Sequence, residues 1–320
     1  MTKMLPTPDA PLNIGTRGSP LALAQAHETR ARLMAAFDLP EAAFRIVVIH
    51  TTGDNRSMID ADRPLKEIGN KGLFTKEIEE AMIDGRIDIA VHSMKDMPVQ
   101  QPEGLVLETY LPREDTRDAF VSLKYKSIAE LPEGAVVGTS SLRRKAQLLN
   151  RRPDLNVVEF RGNVQTRLKK LGDGVAEATF LAMAGLVRLG MVDAPKTAIP
   201  TEDMLNAVAQ GAIGIERRAD DVRAKEMLDA IHDTTTGQRL AAERAFLGAL
   251  DGSCETPIAG LATLEGDVLT LKGEILRTDG SESESAEISG PIADGPALGR
   301  KLAEELLARV DDDFFDWKQN

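Results

Sequence analysis

The chain is poor in cysteine: its 320 residues hold one, Cys254. A single thiol cannot close an internal disulfide, so the fold must rest on its core, and a reducing compartment fits. Aromatic residues are scarce too, at 4%, with one Trp and two Tyr. Long hydrophobic runs are missing. The longest apolar stretch, ATFLAMAGLV at 178–187, falls well short of the about 20 residues that span a bilayer. The opening MTKMLPTPDAPLN puts prolines where a secretory signal would carry apolar residues. The expectation is a cytoplasmic protein without a membrane partner. Basic residues number 39 against 51 acidic ones, a formal net charge of −12. That argues against nucleic acid, whose phosphates require surplus cation. His27, His50, His92 and His232 show no ligand spacing, and HExxH, CxxC, GxGxxG and Walker patterns are all lacking. No metal site and no nucleotide site is expected.

What is present is organised. At about 100–200 residues per domain the length predicts two or three domains. LNIGT (12–16), FRIVVIHTT (44–52) and IDIAVHS (87–93) read as strands, separated by helices with Ala26, Leu33, Met34 and Phe37, then Phe74, Ile78, Ala81 and Met82, at helical spacing. AVV (135–137), NVVEF (156–160) and ATFLA (178–182) repeat the alternation. No internal sequence repeat is evident, although the two segments could share an architecture. Such alternation implies α/β domains with parallel sheets covered on both faces. After Gln238 the pattern changes to a helix, three strands parted by Glu-Gly-Asp and Asp-Gly turns, and a helix with Leu298, Leu302 and Leu306. This predicts a separate α+β domain with an antiparallel sheet.

Chemistry-bearing residues collect at the carboxyl ends of the parallel strands, where ligands bind in such folds. Arg17 and Ser19 follow the first strand, and Lys95 and Asp96 follow IDIAVHS. Thr139, Ser140, Ser141, Arg143 and Arg144 follow AVV, and Arg161, with Arg167 behind it, follows NVVEF. In GTSSLRR, hydroxyls and guanidiniums stand at a helix N-terminus. This suits a carboxylate or phosphate, though a serine there can equally be a plain cap. SMKDMP sets a lysine beside a carboxylate, able to assist proton transfer or merely to form an ion pair. Cys254, in GALDGSCETP, could be an inert thiol, a nucleophile needing a histidine base that no local motif nominates, or a covalent anchor. Residue types alone do not choose.

Taken together, TRGSPLALAQ (16–25), NKGLFTKE (70–77), DIAVHSMKDMP (88–98), REDTRDAFVS (113–122), VGTSSLRRKAQL (137–148), RGNVQTRLKKL (161–171), AGLVRLG (184–190), AQGAIGIE (209–216), ERAFLGALDGSC (243–254) and TPIAG (256–260) resemble the hydroxymethylbilane synthases, also called porphobilinogen deaminases. The resemblance runs across most of the chain, and VHSMKD and GTSSLRR are its most specific parts.

The resemblance implies two periplasmic-binding-protein-like α/β domains flanking a cleft, plus a C-terminal α+β domain with a three-stranded antiparallel sheet. Domain 1 is then discontinuous, 1–111 with 212–229. Domain 2 is 112–211, and domain 3, bearing the cysteine, is 230–320. It also implies a transferase that joins four porphobilinogen molecules into linear hydroxymethylbilane, releasing ammonia at each step. The work is done on a dipyrromethane cofactor held by a thioether to Cys254, in a monomer. Every pyrrole carries an acetate and a propionate, so Arg17, Arg143, Arg144, Arg161 and Arg167 would face carboxylates, joined by Ser19, Thr139, Ser140, Ser141 and Lys95. Asp96 would be the catalytic group, stabilising positive charge as ammonia leaves and assisting proton transfer. Arg188 and Gln210 would complete the surroundings, and segment 56–71, including Lys71, would be a lid. The runner-up reading is a non-catalytic anion-binding protein of similar fold, which would need neither Asp96 nor Cys254. Asn206, Ala209, Ser253, Glu177 and Ala176 depart from common family forms, where Pro, Gly, Gly, Asp and Tyr are frequent.

Overall fold

The structure, a computed structural model, describes residues 5–51, 75–253, 256–311 and 313–315. These residues form two compact units: 5–51, 75–114 and 211–237 in the first, and 115–210 with those from 238 onward in the second.

The first unit is built on β1 (Leu12–Arg17), α1 (Pro20–Phe37), β2 (Phe44–Ile49), α2 (Lys76–Ile83), β3 (Ile89–Ser93) and β4 (Leu105–Tyr110), with β10 (Ile213–Arg218) contributed when the chain returns. The sheet order is β2-β1-β3-β10-β4. β1 runs parallel to β2 and β3, whereas β10 is antiparallel to both its neighbours. Successive residues of a strand face opposite sides. Ile89 and Val91 therefore pack with Ala26 and Leu33 of α1, while Ala90 packs with Ile78, Ala81 and Met82 of α2.

The second unit repeats this plan with β5 (Asp118–Ser122), β6 (Val136–Gly138), α3 (Leu142–Arg151), β7 (Asn156–Val158), α4 (Val164–Gly172), β8 (Ala178–Ala182), α5 (Met183–Arg188) and β9 (Lys196–Ala198). The order is β7-β6-β8-β5-β9, with β5 antiparallel to β8 and β9. Both sheets are thus mixed, not wholly parallel as the alternation implied. The reason is topological: one strand in each sheet, β10 in the first and β5 in the second, runs against the rest, and each adjoins a point where the chain passes from one unit to the other.

The shared architecture has a sequence counterpart that is easily overlooked. Asp84-Gly85 and Asp173-Gly174 close α2 and α4, each with its glycine in the left-handed region (φ 72 and 76). An acidic residue follows three positions after each glycine. Asp88 Oδ2 accepts the Asn13 N–H at 2.7 Å, and Glu177 Oε2 accepts the Val136 N–H, also at 2.7 Å. Glu177, one methylene longer, makes the same strand-start clamp as Asp88.

The C-terminal layer is an antiparallel meander of β11 (Ile258–Glu265), β12 (Val268–Leu276) and β13 (Ser283–Pro291), as the strand and turn pattern predicted. α7 (Thr234–Ala249) and α8 (Gly295–Leu307), which follow α6 (Val222–Asp229) in the chain, pack with it. Phe246 of α7 and Leu302 of α8 are fully buried and approach Gly273 of β12. The layer is tied to α3 within the second unit: Gln147 Nε2 donates to Glu274 Oε2 at 2.5 Å, and Asn150 Nδ2 to the Gly280 carbonyl at 3.0 Å.

Candidate functional site

In the first unit, β1 and β3 lie side by side and deliver two pairs of residues at their carboxyl ends. Arg17 closes β1, and Ser19 caps α1, its Oγ accepting the Ala22 N–H at 3.3 Å with Pro20 in the first turn. β3 runs into a short 3₁₀ turn, Met94–Asp96. The turn is anchored twice. The Met94 N–H donates to the Ala212 carbonyl at 3.0 Å, and the Met94 side chain, 1% exposed, is sunk into the unit. Lys95 and Asp96 are left half-buried on the turn. Behind it, Ser93 Oγ pairs with the Gln25 amide at 2.8 Å.

In the second unit, the GTSSLRR segment forms the end of β6 and the start of α3. Thr139 Oγ1 accepts the Ser141 N–H, Ser140 Oγ accepts the Phe160 N–H, and Ser141 Oγ caps the helix at the Arg144 N–H. All three hydroxyl oxygens therefore serve the backbone, while each keeps its own hydrogen to donate. Arg143 and Arg144 are not solvated. They are 4% and 5% exposed and converge on Asp118, the first residue of β5: Arg143 Nη1 to Oδ2 at 2.8 Å, Arg144 Nη2 to Oδ1 at 2.7 Å. Arg143 Nη1 also reaches Gln147 and the Leu205 carbonyl, and Arg144 Nη1 the Phe180 carbonyl. Gln210, fully buried, adds its Nε2 to Asp118 Oδ1 at 2.9 Å. Arg167 donates to the carbonyls of Gly162 and Phe180, the second of which it shares with Arg144. Arg161 is 7% exposed just beyond β7, and half-buried Arg188 ends α5.

Burial pushes the Asp118 carboxyl up, but the guanidiniums of Arg143 and Arg144 outweigh it and hold the group well below the usual carboxylate range. Burial lowers Arg143, with Asp118 opposing. Two guanidiniums against one carboxylate leave the triad one positive charge in excess, beside the positive end of α3. The Arg143 Nε–H is buried and has no hydrogen-bond acceptor among the described residues. An excess buried charge and an orphaned donor call for an anion, so these residues fit a carboxylate-bearing group.

Lys71, segment 56–71 and Cys254 lie outside the described residues. On either side of Cys254, Ser253 and Thr256 hold each other: the Ser253 N–H donates to Thr256 Oγ1 at 3.0 Å, and that hydroxyl returns a bond to the Ser253 carbonyl at 2.7 Å. Among the described residues no group of three His, Cys, Asp or Glu could hold a metal, and no helix is long and apolar enough to cross a membrane. Asp118 was not singled out by sequence reasoning, although it lies in REDTRDAFVS. The available signal was a charged residue opening an otherwise apolar strand.

The family described as "Porphobilinogen deaminase, dipyromethane cofactor binding domain" matches residues 12–226, and "Porphobilinogen deaminase, C-terminal domain" matches 238–308. A porphobilinogen deaminase of Paracoccus denitrificans is 67% identical over 317 residues, covering 99% of this chain and 100% of that protein. Similar solved structures include a glutamate receptor ligand-binding core of Nostoc punctiforme (14% identity, 69% of this chain, 91% of that one, TM-score 0.38). An arginine-specific periplasmic binding protein of Salmonella typhimurium is similar at 13% identity, 70% and 92% coverage and TM-score 0.40. The sheet topology above stands without these two distant likenesses. With both domain descriptions matched and two-thirds of its residues shared with a deaminase from end to end, the chain belongs to the porphobilinogen deaminase family.

Proposed function

We propose that the chain deaminates and joins four porphobilinogen molecules into linear hydroxymethylbilane, with Asp96 as the catalytic group and Cys254 as the attachment point of the dipyrromethane cofactor. Family membership sets aside the reading as a non-catalytic anion binder. The geometric observation that carries the proposal is the Arg143–Asp118–Arg144 triad: a buried, net-positive floor beside three hydroxyls, suited to a ligand rich in carboxylates. When bound, dipyrromethane supplies the pyrrole carbon to which substrate units are joined.

The protein's own residues divide the remaining work. Thr139, Ser140 and Ser141 donate their hydroxyl hydrogens to carboxylates, and Arg143 offers its Nε–H. Three of the five Arg144 N–H donors go to Asp118 and the Phe180 carbonyl, so its main part is to hold charge in place. Arg161, Arg167 and Arg188 extend the cationic surface, and Gln210 fixes Asp118. Arg17, Ser19 and Lys95 bind carboxylates at the ends of β1 and β3, with Lys71 added from sequence. Asp96 stabilises the positive charge that develops on porphobilinogen as ammonia leaves, and moves the proton at the reacting pyrrole. The three-domain division at 1–111 with 212–229, 112–211 and 230–320 belongs to the proposal, as do a monomeric state and a cytoplasmic location. The distinct C-terminal sheet supports the last boundary.

Intact mass tests the reading. Native protein should exceed its sequence mass by one dipyrromethane, and Cys254→Ser should not; equal masses would remove the anchor. Asp96→Ala should keep the added mass while kcat falls by roughly 10²-fold or more. A kcat near wild type would remove Asp96 from its role.

A further inference from the structure

The helix that precedes the cysteine loop carries a buried carboxylate the proposed reaction does not use. Glu243, on α7, is fully buried. A buried carboxylate is costly unless its oxygens are bonded, and both of these oxygens accept backbone N–H groups. Oε1 takes the Ala262 N–H of β11 at 2.8 Å, and Oε2 takes the Ala209 N–H at 2.7 Å. The first bond ties helix to sheet. The second goes to a residue in the left-handed region, φ 60, which a non-glycine seldom adopts.

Ala209 belongs to loop 205–210, and both ends of that loop touch the triad. The Leu205 carbonyl accepts from Arg143 Nη1 at 2.9 Å and Gln147 Nε2 at 3.0 Å. At the other end, Gln210 Nε2 donates to Asp118 Oδ1 and to the Thr116 carbonyl. Between them Asn206 exchanges bonds with Gly260 of β11: the Gly260 N–H donates to the Asn206 carbonyl at 3.0 Å, and Asn206 Nδ2 to the Gly260 carbonyl at 3.1 Å. The loop is therefore held on one side by α7 and β11, and holds the arginine floor on the other.

We infer that Glu243 is a positioning residue for the carboxylate-binding floor. By pinning the Ala209 amide it sets the loop that carries Gln210, and through Gln210 it sets Asp118 and the two arginines. α7 ends at Ala249, five residues before Cys254. One helix thus leads to the anchor and, through Glu243, registers the surface that receives the carboxylates. This rests on the function proposed above.

The inference is tested with the full-length holoenzyme by hydrogen exchange and a double-mutant cycle. In wild type the Ala209 amide should exchange at least about 10²-fold more slowly than an open loop amide, and Glu243→Gln, which keeps only one acceptor oxygen, should release it together with the Gln210 amide. Glu243→Gln and Gln210→Ala should each raise KM for porphobilinogen about tenfold, the worth of a hydrogen bond to a charged group. The double variant should be no worse than the poorer single one, because both act on Asp118 by one route. Fast exchange at Ala209 in wild type, a KM in the double variant equal to the product of the single effects, or a Glu243→Gln variant lowered only in Tm would each overturn the inference. Failure of the functional reading shows separately, as wild-type protein lacking the cofactor mass, and the exchange arm decides the inference even then.

Discussion

The sulfur of Met94 lies against Gly214 across the β3–β10 ladder, so close that a Cβ at Gly214 would overlap it and press on Leu107. Only glycine leaves room for the side chain that seats the 3₁₀ turn, and Asp96 is the last residue of that turn. Gly214→Ala should lift Met94 and tilt the turn. The expected cost is about 1–3 kcal/mol from overpacking, with kcat down by roughly 10- to 100-fold through a misplaced Asp96 and the cofactor mass retained. Urea unfolding and steady-state kinetics read both. A variant as active as wild type would show that Met94 does not set Asp96.

Asp118 is the carboxylate on which both guanidiniums converge, with Glu274 a lesser source of opposite charge for Arg143. Asp118→Asn keeps the shape and removes the charge, leaving Arg143 and Arg144 buried against each other. A loss of about 3–5 kcal/mol is expected, as when one partner of a buried ion pair is removed. The pH dependence follows from the direction of its shift. A carboxylate held below its ordinary value, about 3.9, stabilises the fold fully above that value, and loses the effect only as pH falls through the lower folded-state value. The deficit of Asp118→Asn should therefore be the same at pH 5 and pH 8 in denaturant titrations. A deficit that shrinks between pH 8 and pH 5 would mean Asp118 titrates in that range.

Ala209 occupies a left-handed backbone position, φ 60, that glycine adopts without the steric cost an L side chain incurs. Its amide is held by Glu243 and its side chain is buried, so the strain is maintained by the surroundings. Ala209→Gly should relieve it and stabilise the protein by about 1 kcal/mol after the extra freedom glycine gains in the unfolded chain. A higher denaturation midpoint with an unchanged m-value is the expected reading, and a lower midpoint would show that the surroundings had already absorbed the strain.

Much of the fold was legible because the βα units announce themselves locally. Ala26 and Leu33, or Ile78 and Met82, mark a helix face within one window, and Ser19 and Ser141 mark its start. β4, β5, β9 and β10 carry no such signature. β5 and β10 run against the rest of their sheets, and their partners lie far along the chain, as in Ile213 opposite Ser93, so no single window of sequence shows their direction. The candidate site divides in the same way. Lys95, Asp96 and the serines follow strands in sequence and could be read from motifs. The burial of Arg143 and Arg144 could not be read so, because it depends on Asp118, Gln210 and Glu274, which sequence places 25 or more residues away.

Glu79 of α2 offers a test of opposite sign. Its carboxyl is pushed up, first by burial and then by Glu216, with Thr75 and His92 opposing. Glu216 is itself fully buried and paired with His92 at 3.0 Å. An acid whose folded-state value is raised prefers its proton in the folded protein, so its ionisation opposes folding. The penalty is absent below the ordinary glutamate value of about 4.3, grows as pH rises past it, and is complete above the raised value. Glu79→Gln removes the ionisation. Its stability relative to wild type should rise from pH 4 upward and then level off, as followed by urea midpoints at pH 4, 6 and 8. A difference that stays flat or falls over this range would show that Glu79 ionises as freely in the folded protein as in the unfolded chain.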